Sequence, residues 1–499
     1  MAKYLMLFCL FFGASYVLKA QSYTDRINTE VTIPESEAHI RFLASDELRG
    51  RNTGSHELNI AARYIAEQFR AFGLQPLPGA ADYFQPVPFT QTTPPKNGVL
   101  TLDKKTYQQG KDFVFLNGNA AKLEKAKVVF AGYGLEADLK GKDVKGKIVI
   151  ANTGGPEAGG SPGKVFGLSR QKREIAKNMG AAALVELYNQ PFAPWNMIVN
   201  FMGQPQLELG APDTEEAPNG MPHLWLYEAD KSAVKTMSDG KIKKAGLQIG
   251  NLEKKTLWSR NVLAMIPGTD PALRDQYILL SAHYDHVGVG RGQDPQDSIF
   301  NGTRDNAVGT VAVLEAARVL GAHPPKRSVI FAAWTAEEKG LLGAKYYVEH
   351  PLVPHNKIIY NLNIDGAGYN DTSLVTVIGL ERTSAEQLLV KAAQTYGLKA
   401  ISDPAPEQGL FDRSDNVHFA AQGIPAPTYS MGFTAFDEAI SKYYHQTSDN
   451  PETVDMQYLL RYFRSYVLAA YLIGDDPEMP YWKAGDKYEA AWKKLHGKD

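Results

Sequence analysis

Between Tyr277 and Asp365 the chain repeats one pattern three times: a short apolar run that ends in a histidine or a carboxylate. The runs are Tyr277-Ile-Leu-Leu-Ser-Ala-His283, then Ser328-Val-Ile-Phe-Ala-Ala-Trp334 leading into Thr-Ala-Glu337-Glu338, then Ile358-Ile-Tyr-Asn-Leu-Asn-Ile-Asp365. Apolar, β-branched runs of this length, separated by helical patterns, read as parallel strands buried on both faces. The expected fold class is therefore α/β, with a mixed, mostly parallel sheet flanked by helices. Ligands of such sheets bind beyond the carboxyl ends of the strands, so the polar residues that end the runs are expected to converge on one crevice.

The residue types there suit a metal. His283 and Asp285 lie two apart, on one side of an extended chain, so one can bind a metal while the other orients the imidazole. Asp305, Glu338, Asp365 and the late His445 extend the set with the oxygen and nitrogen donors that zinc accepts. Five ligands oversupply one ion, and a carboxylate bridging two metals about 3.5–4 Å apart fits better. Glu337 points away from its neighbour Glu338. It is free to act as general base toward a water that the metals acidify.

In this order the residues resemble the M28 family of co-catalytic zinc peptidases, which includes bacterial aminopeptidases and glutamate carboxypeptidases. The family pattern has His-x-Asp, an Asp followed by Asn or Asp before a Gly-rich helix start, Glu-Glu, an Asp after an apolar strand, and a late His. The resemblance implies two Zn2+ per chain on a zinc-exopeptidase (phosphorylase/hydrolase-like) fold. One ion would be held by His283, Asp305 and Asp365, the other by Asp305, Glu338 and His445, with Asp305 as the bridge. It implies Glu337 as general base, Asp285 as the residue that orients a ligand, Tyr444 as a polariser of the scissile carbonyl and Arg413 as a substrate contact. Arg304 departs from the family, many members of which carry an acidic or small residue there. It is expected to hold a substrate carboxylate or to pair with a nearby acid. Asn416 replaces a frequent His.

Taken singly, each feature has an ordinary structural reading. His-x-Asp is usually a surface pair, Glu337-Glu338 suits the first turn of a helix, and Asp305 can cap the helix expected over Ala307–Leu320. The ordered coincidence of all five ligands carries the assignment. His56, His223, His323, His350, His355 and His496 read as structural or surface residues, and His286 and His418 receive no role.

The chain has 499 residues, 44% hydrophobic and 22% charged, with a net charge of −2. That is enough for two or three domains, and the charge implies no nucleic-acid or anionic-membrane partner. Residues 1–20 read as a cleaved signal peptide: Lys3, an apolar stretch Leu5–Leu18 shorter than a bilayer span, then Ala20 before Gln21. Its removal would take Lys3, Lys19 and Cys9, the single cysteine, leaving no thiol. The expectation is a periplasmic or secreted bacterial protein with no stable membrane anchor and no disulfide. Oligomeric state is not legible.

Residues 21–118 read as the N-terminal part of the catalytic domain. Helices flank the loop Asp46–Ser55, and Gly73 with Pro76 ends the second of them. Residues 119–252 resemble a protease-associated (PA) domain, a small β-rich insertion, from Ala131-Gly-Tyr-Gly134 and Gly146-Lys-Ile-Val149. Residues 253–499 complete the peptidase domain. The glycine-rich stretch 154–163 reads as a loop. The expected function is an exported di-zinc exopeptidase acting on peptide substrates, foremost an aminopeptidase. A zinc carboxypeptidase of the same family, a single-zinc glutaminyl cyclase-like transferase and a non-catalytic binding protein are the rivals.

Overall fold

The computed structural model describes residues 23–80, 82–156, 158, 161–191, 193–211, 220–227 and 242–498. The expected signal peptide, and part of the stretch 154–163, lie outside them. The chain divides into two compact units, Met1–Val87 with Trp258–Asp499, and Pro88–Leu257.

The first unit holds a mixed sheet whose strand order is Lys399–Ile401, Leu374–Ile378, Thr428–Met431, Ile358–Ile364, Tyr277–His283, Ser328–Trp334 and Glu253–Ile266. Tyr277–His283 pairs in parallel with both neighbours, and Ile358–Ile364 pairs in parallel with Thr428–Met431. Glu253–Ile266 runs antiparallel at one side, and Leu374–Ile378 runs antiparallel to Thr428–Met431. The central strands are buried on both faces, as their unbroken apolar runs require. Val329, Phe331 and Ala333 enter one core while Ile330, Ala332 and Trp334 enter the other, the alternation a pleated strand imposes.

Helices cover both faces. His56–Ala71 starts where Ser55 accepts a hydrogen bond from Leu58 N. It stops at Gly73, whose left-handed φ of 75° lets Leu74 N return to Phe69 O. Met456–Asp475 is capped by Asp455 and lays Tyr458, Tyr462 and Tyr466 against the sheet. Their hydroxyls donate to the carbonyls of Leu374, Tyr429 and Leu362, so each buried polar tip finds a partner. Among the described residues no helix is long and apolar enough to cross a membrane.

The second unit contains a sheet ordered Lys105–Gln108, Val99–Leu102, Lys244–Ile249, Ala121–Phe130, Ile148–Asn152, Ala183–Leu187, His223–Leu226 and Phe113–Asn117. The four strands from Ala121–Phe130 to His223–Leu226 pair in parallel, and the helix Pro162–Asn178 connects two of them. Residues 88–118, expected in the first unit, belong here. Val99–Leu102 pairs with Lys244–Ile249 and Phe113–Asn117 pairs with His223–Leu226, partners more than 100 residues away that no local pattern reveals. At the centre Glu186 is fully buried between Lys172 Nζ at 2.6 Å and His223 Nε2 at 2.7 Å. His223 is thus a structural histidine of this unit.

Candidate metal and catalytic centre

The functional side chains stand at the carboxyl ends of the parallel strands. His283 is the last residue of its strand, Asp365 follows Ile364, and Glu337 and Glu338 follow Trp334 by a short turn. Asp305 comes from the wide turn Thr303–Ala307 that precedes the helix Val308–Ala322, and its peptide bond to Asn306 is cis. Asn306 Nδ2 donates to Ile364 O at 2.9 Å, tying this turn to the strand that carries Asp365. His445 follows the helix Glu438–Ser441 on a loop.

Asp305 faces both ways. Its Oδ1 lies 3.2 Å from His283 Nε2 and its Oδ2 lies 3.1 Å from His445 Nε2. On the first side Asp365 Oδ1 approaches His283 Nε2 at 3.3 Å. On the second side Glu338 Oε1 approaches His445 Nε2 at 3.1 Å and His286 Nδ1 at 2.9 Å. Two clusters result, His283–Asp305–Asp365 and His286–Asp305–Glu338–His445, and within each the donor atoms lie within 4.8 Å of one another. Donors about 2.0–2.2 Å from one tetrahedral ion stand about 3.4 Å apart, so the spacings and the N/O donor set fit zinc.

Charge is heavily shifted here. Burial penalises the Asp305 and Glu338 carboxylates, but the imidazoles beside them prevail: Asp305 is held well below the usual range and Glu338 at about 2. His445 is pushed to about 10, because contacts with Asp305 and Glu338 outweigh its burial. Glu337 moves the other way. Burial raises its pKa well above the usual range, helped by Asp365 and Glu338 and opposed by His283. A buried carboxyl group beside the donor clusters is placed to exchange protons with a neighbouring group.

Asp285 stands behind this centre. His283 Nδ1 approaches its backbone oxygen at 3.1 Å, while the carboxylate is 4.0 Å away. That carboxylate accepts instead from Glu337 N at 3.1 Å and Thr53 Oγ1 at 2.9 Å. It thus fixes the Glu337 backbone, and the peptide group orients His283.

A cavity of about 330 Å³ opens beside the centre. Glu337, Asp365, Tyr444 and Arg413 line its polar side, and Leu341, Ile378, Leu410, Phe433 and Phe436 supply apolar wall. The Tyr444 ring stacks on His445 with centroids 4.1 Å apart. Burial raises its hydroxyl pKa, so it stays a donor. Arg413 is exposed, with its guanidinium 3.5 Å from the Tyr444 hydroxyl.

Arg304 does not reach this cavity. It is 3% exposed and pairs with Asp449 Oδ1 at 2.7 Å. Further donors go to Thr453 Oγ1 and Thr453 O, and its guanidinium lies 3.8 Å from the Tyr443 ring centroid. The expectation that it holds a substrate carboxylate gives way to the alternative of an acid partner, because its donors are already engaged in the protein interior.

Four residues near the centre had no assigned role in the sequence. His286 sits at Glu338. Thr53 braces Asp285. Arg51, fully buried, donates to the carbonyls of Tyr284, Asn301, Gly302 and Leu43, strapping together the segments that carry Asp285 and Asp305. Asp415 is fully buried and neither carboxylate oxygen has a hydrogen-bond partner among the described residues. Burial, with Asp365 and Asp285 nearby, raises its pKa well above the usual range. Only the His-x-Asp-His run offered any local signal for one of them.

Residues 261–469, which contain both clusters, match the family model described as Peptidase family M28. Over that stretch the chain is similar to peptidase family M28. Aminopeptidase YwaD of Bacillus subtilis (strain 168) is 26% identical over 334 residues, covering 66% of this chain and 62% of that protein. Leucine aminopeptidase 2 of Arthroderma otae is 29% identical over 327 residues, covering 65% of this chain. The aligned part spans only 54% of that relative's own length. Among solved structures, the aminopeptidase from Aneurinibacillus sp. strain AM-1 superposes with a TM-score of 0.63 at 22% identity, covering 93% of this chain and 98% of that one. BSAP, a zinc aminopeptidase from Bacillus subtilis, superposes with a TM-score of 0.52 at 21% identity, covering 92% and 97%. At these identities the structural likenesses establish the fold.

Proposed function

We propose that this chain is a di-zinc exopeptidase that releases residues from the amino end of peptides. The observation that carries the reading is Asp305, with one carboxylate oxygen toward each of two donor clusters and Glu337 beside them on the cavity wall. His283, Asp305 and Asp365 would hold one zinc, and Asp305, Glu338 and His445 the other. Zinc bound there supplies Lewis acidity, which acidifies a water and polarises a carbonyl.

The chain's own groups account for the rest. Glu337 takes the proton of the attacking water and returns it to the departing amine, a role its place beside the clusters suits. Asp285 keeps Glu337 in place through its backbone N–H. The Tyr444 hydroxyl is positioned on the cavity wall to donate to the developing oxyanion. A free α-ammonium is matched by the carboxylates of Glu337 and Asp365, and the apolar wall receives an apolar side chain. Relatives named as aminopeptidases support this choice. Arg413 on the same cavity favours the second reading, a carboxypeptidase, because an exposed guanidinium suits a terminal carboxylate.

The second unit is read as a PA-type insertion, and residues 1–20 as an export signal that places the enzyme in the periplasm or outside the cell. The deciding experiment is mass spectrometry of unblocked short peptides incubated with the full chain, with and without a chelator. Chelator-sensitive loss from the amino end supports the reading. Loss from the carboxyl end transfers it to the carboxypeptidase with Arg413 as anchor, and no cleavage in zinc-supplemented buffer defeats it.

A further inference from the structure

His286 is absent from the ligand set that the sequence pattern implies, yet its surroundings are built around it. The ring is 1% exposed, and its two nitrogens have no hydrogen-bond partner among the described residues. Buried imidazole nitrogens ordinarily find one. Nδ1 stands 2.9 Å from Glu338 Oε1 and His445 Nε2 3.1 Å from the same oxygen, yet among the described residues that oxygen has no well-aligned hydrogen bond. These atoms crowd together at hydrogen-bonding separations without hydrogen-bonding alignment. Donor atoms do so when their lone pairs converge on a common point instead of on each other.

The ring's position is specified by the backbone. His286 N donates to Arg51 O at 3.2 Å, and the residue bridges Asn52. Gly302 leaves the space for the ring. A Cβ at that position would lie 2.5 Å from both Cγ and Cδ2 of His286, and its φ of 58° is itself one that favours glycine. The His286 and His445 rings meet edge to face, with centroids 5.5 Å apart and planes 70° apart.

We propose that His286 donates a second imidazole to the metal position formed by Asp305, Glu338 and His445. That position then has four protein donors, whereas the one at His283, Asp305 and Asp365 has three. Four protein donors close a tetrahedral zinc site, and three leave a place for water. The two positions are therefore unequal in the number of protein donors they offer, and the His286 position would hold its ion the more tightly. The inference rests on the two-zinc reading above.

The test is zinc X-ray absorption spectroscopy on the full chain, with the zinc content of the same sample measured. The expected result is two zinc ions sharing three imidazoles, from His283, His286 and His445. Two zinc ions with only two imidazoles would overturn the role of His286 and leave the two-zinc reading standing. Fewer than two zinc ions in zinc-saturated protein would overturn both. As an independent readout, competition with a chelator should resolve a tight and a weaker zinc. His286→Gln, which retains bulk beside Gly302, should weaken the tight one by about tenfold or more and leave the weaker one unchanged. An unchanged tight zinc in the folded variant would count against the proposal even if activity fell.

Discussion

The backbone N–H of Glu337 donates to the carboxylate of Asp285 at 3.1 Å. Through this bond the His-x-Asp segment controls the proposed base as well as the proposed ligand. Asp285 cannot be a simple tether for the His283 ring, because its carboxylate is 4.0 Å from Nδ1 and its backbone oxygen is nearer.

Replacing Asp285 by Asn should disturb the base more than the metals. An amide presents one acceptor oxygen to two donors, Thr53 Oγ1 and Glu337 N. We expect kcat/KM to fall by about 10–100-fold with zinc content retained. Thr53→Val, which removes only one donor, should cost less. Loss of zinc in Asp285→Asn without a kinetic defect in reloaded enzyme would refute this division of roles.

Glu337→Gln removes the proton acceptor while keeping its shape. The expected outcome is a fall in kcat of about 10²–10⁴-fold, with KM, zinc content and melting temperature close to those of the parent. Turnover within a factor of three of the parent would eliminate Glu337 as the base.

The Arg304–Asp449 pair predicts a stability effect with no substrate role. Asp449→Asn leaves a buried guanidinium without its carboxylate, and breaking such a pair costs about 3–5 kcal/mol. Denaturant unfolding should show that loss. If Arg304→Lys instead raised KM while leaving unfolding untouched, the arginine would be a substrate contact after all.

The second unit should be acid-sensitive through Glu186. Burial disfavours its charged form, but His223 and Lys172 outweigh it and hold the carboxyl at about 2, against an unfolded value near 4.5. A depressed folded pKa contributes stability that is full above about pH 4.5 and is lost as pH falls through about 2. The upper limit is about 3 kcal/mol. Part is offset at Lys172, whose own pKa burial lowers. Acid unfolding of this unit, followed by fluorescence of the buried Trp225, should therefore steepen below pH 4.5 in the parent. Glu186→Gln should be less stable at neutral pH and show a flatter acid dependence. Identical acid profiles would remove Glu186 as the cause.

Much of the candidate centre was legible because its proposed ligands stand mostly at strand ends. An apolar run buried on both faces must stop where its first ionisable residue can reach solvent or a metal. The ends of Tyr277–His283 and Ile358–Ile364, and the turn just past Ser328–Trp334, therefore marked His283, Asp365 and the Glu337-Glu338 pair. Arg304 was legible only as two alternatives, since whether a cation meets substrate or an internal acid depends on where Asp449 folds to. The boundary of the second unit was misplaced for a related reason: a strand's partner is chosen by pairing across long separations, and Val99–Leu102 gives no local sign of Lys244–Ile249.

The sequence by itself determined the parallel sheet, the donor types and their order, because burial periodicity and metal-ligand chemistry are both written in residue types at short range. The tertiary structure alone decided how those donors group. It turned the two oxygens of Asp305 to different histidines and brought His286 against Glu338. It also directed Asp285 to Glu337 and withdrew Arg304 from the cavity. Each of those depends on an atom's direction relative to a residue 22 to 145 positions away, and direction across such separations is fixed only when the chain packs.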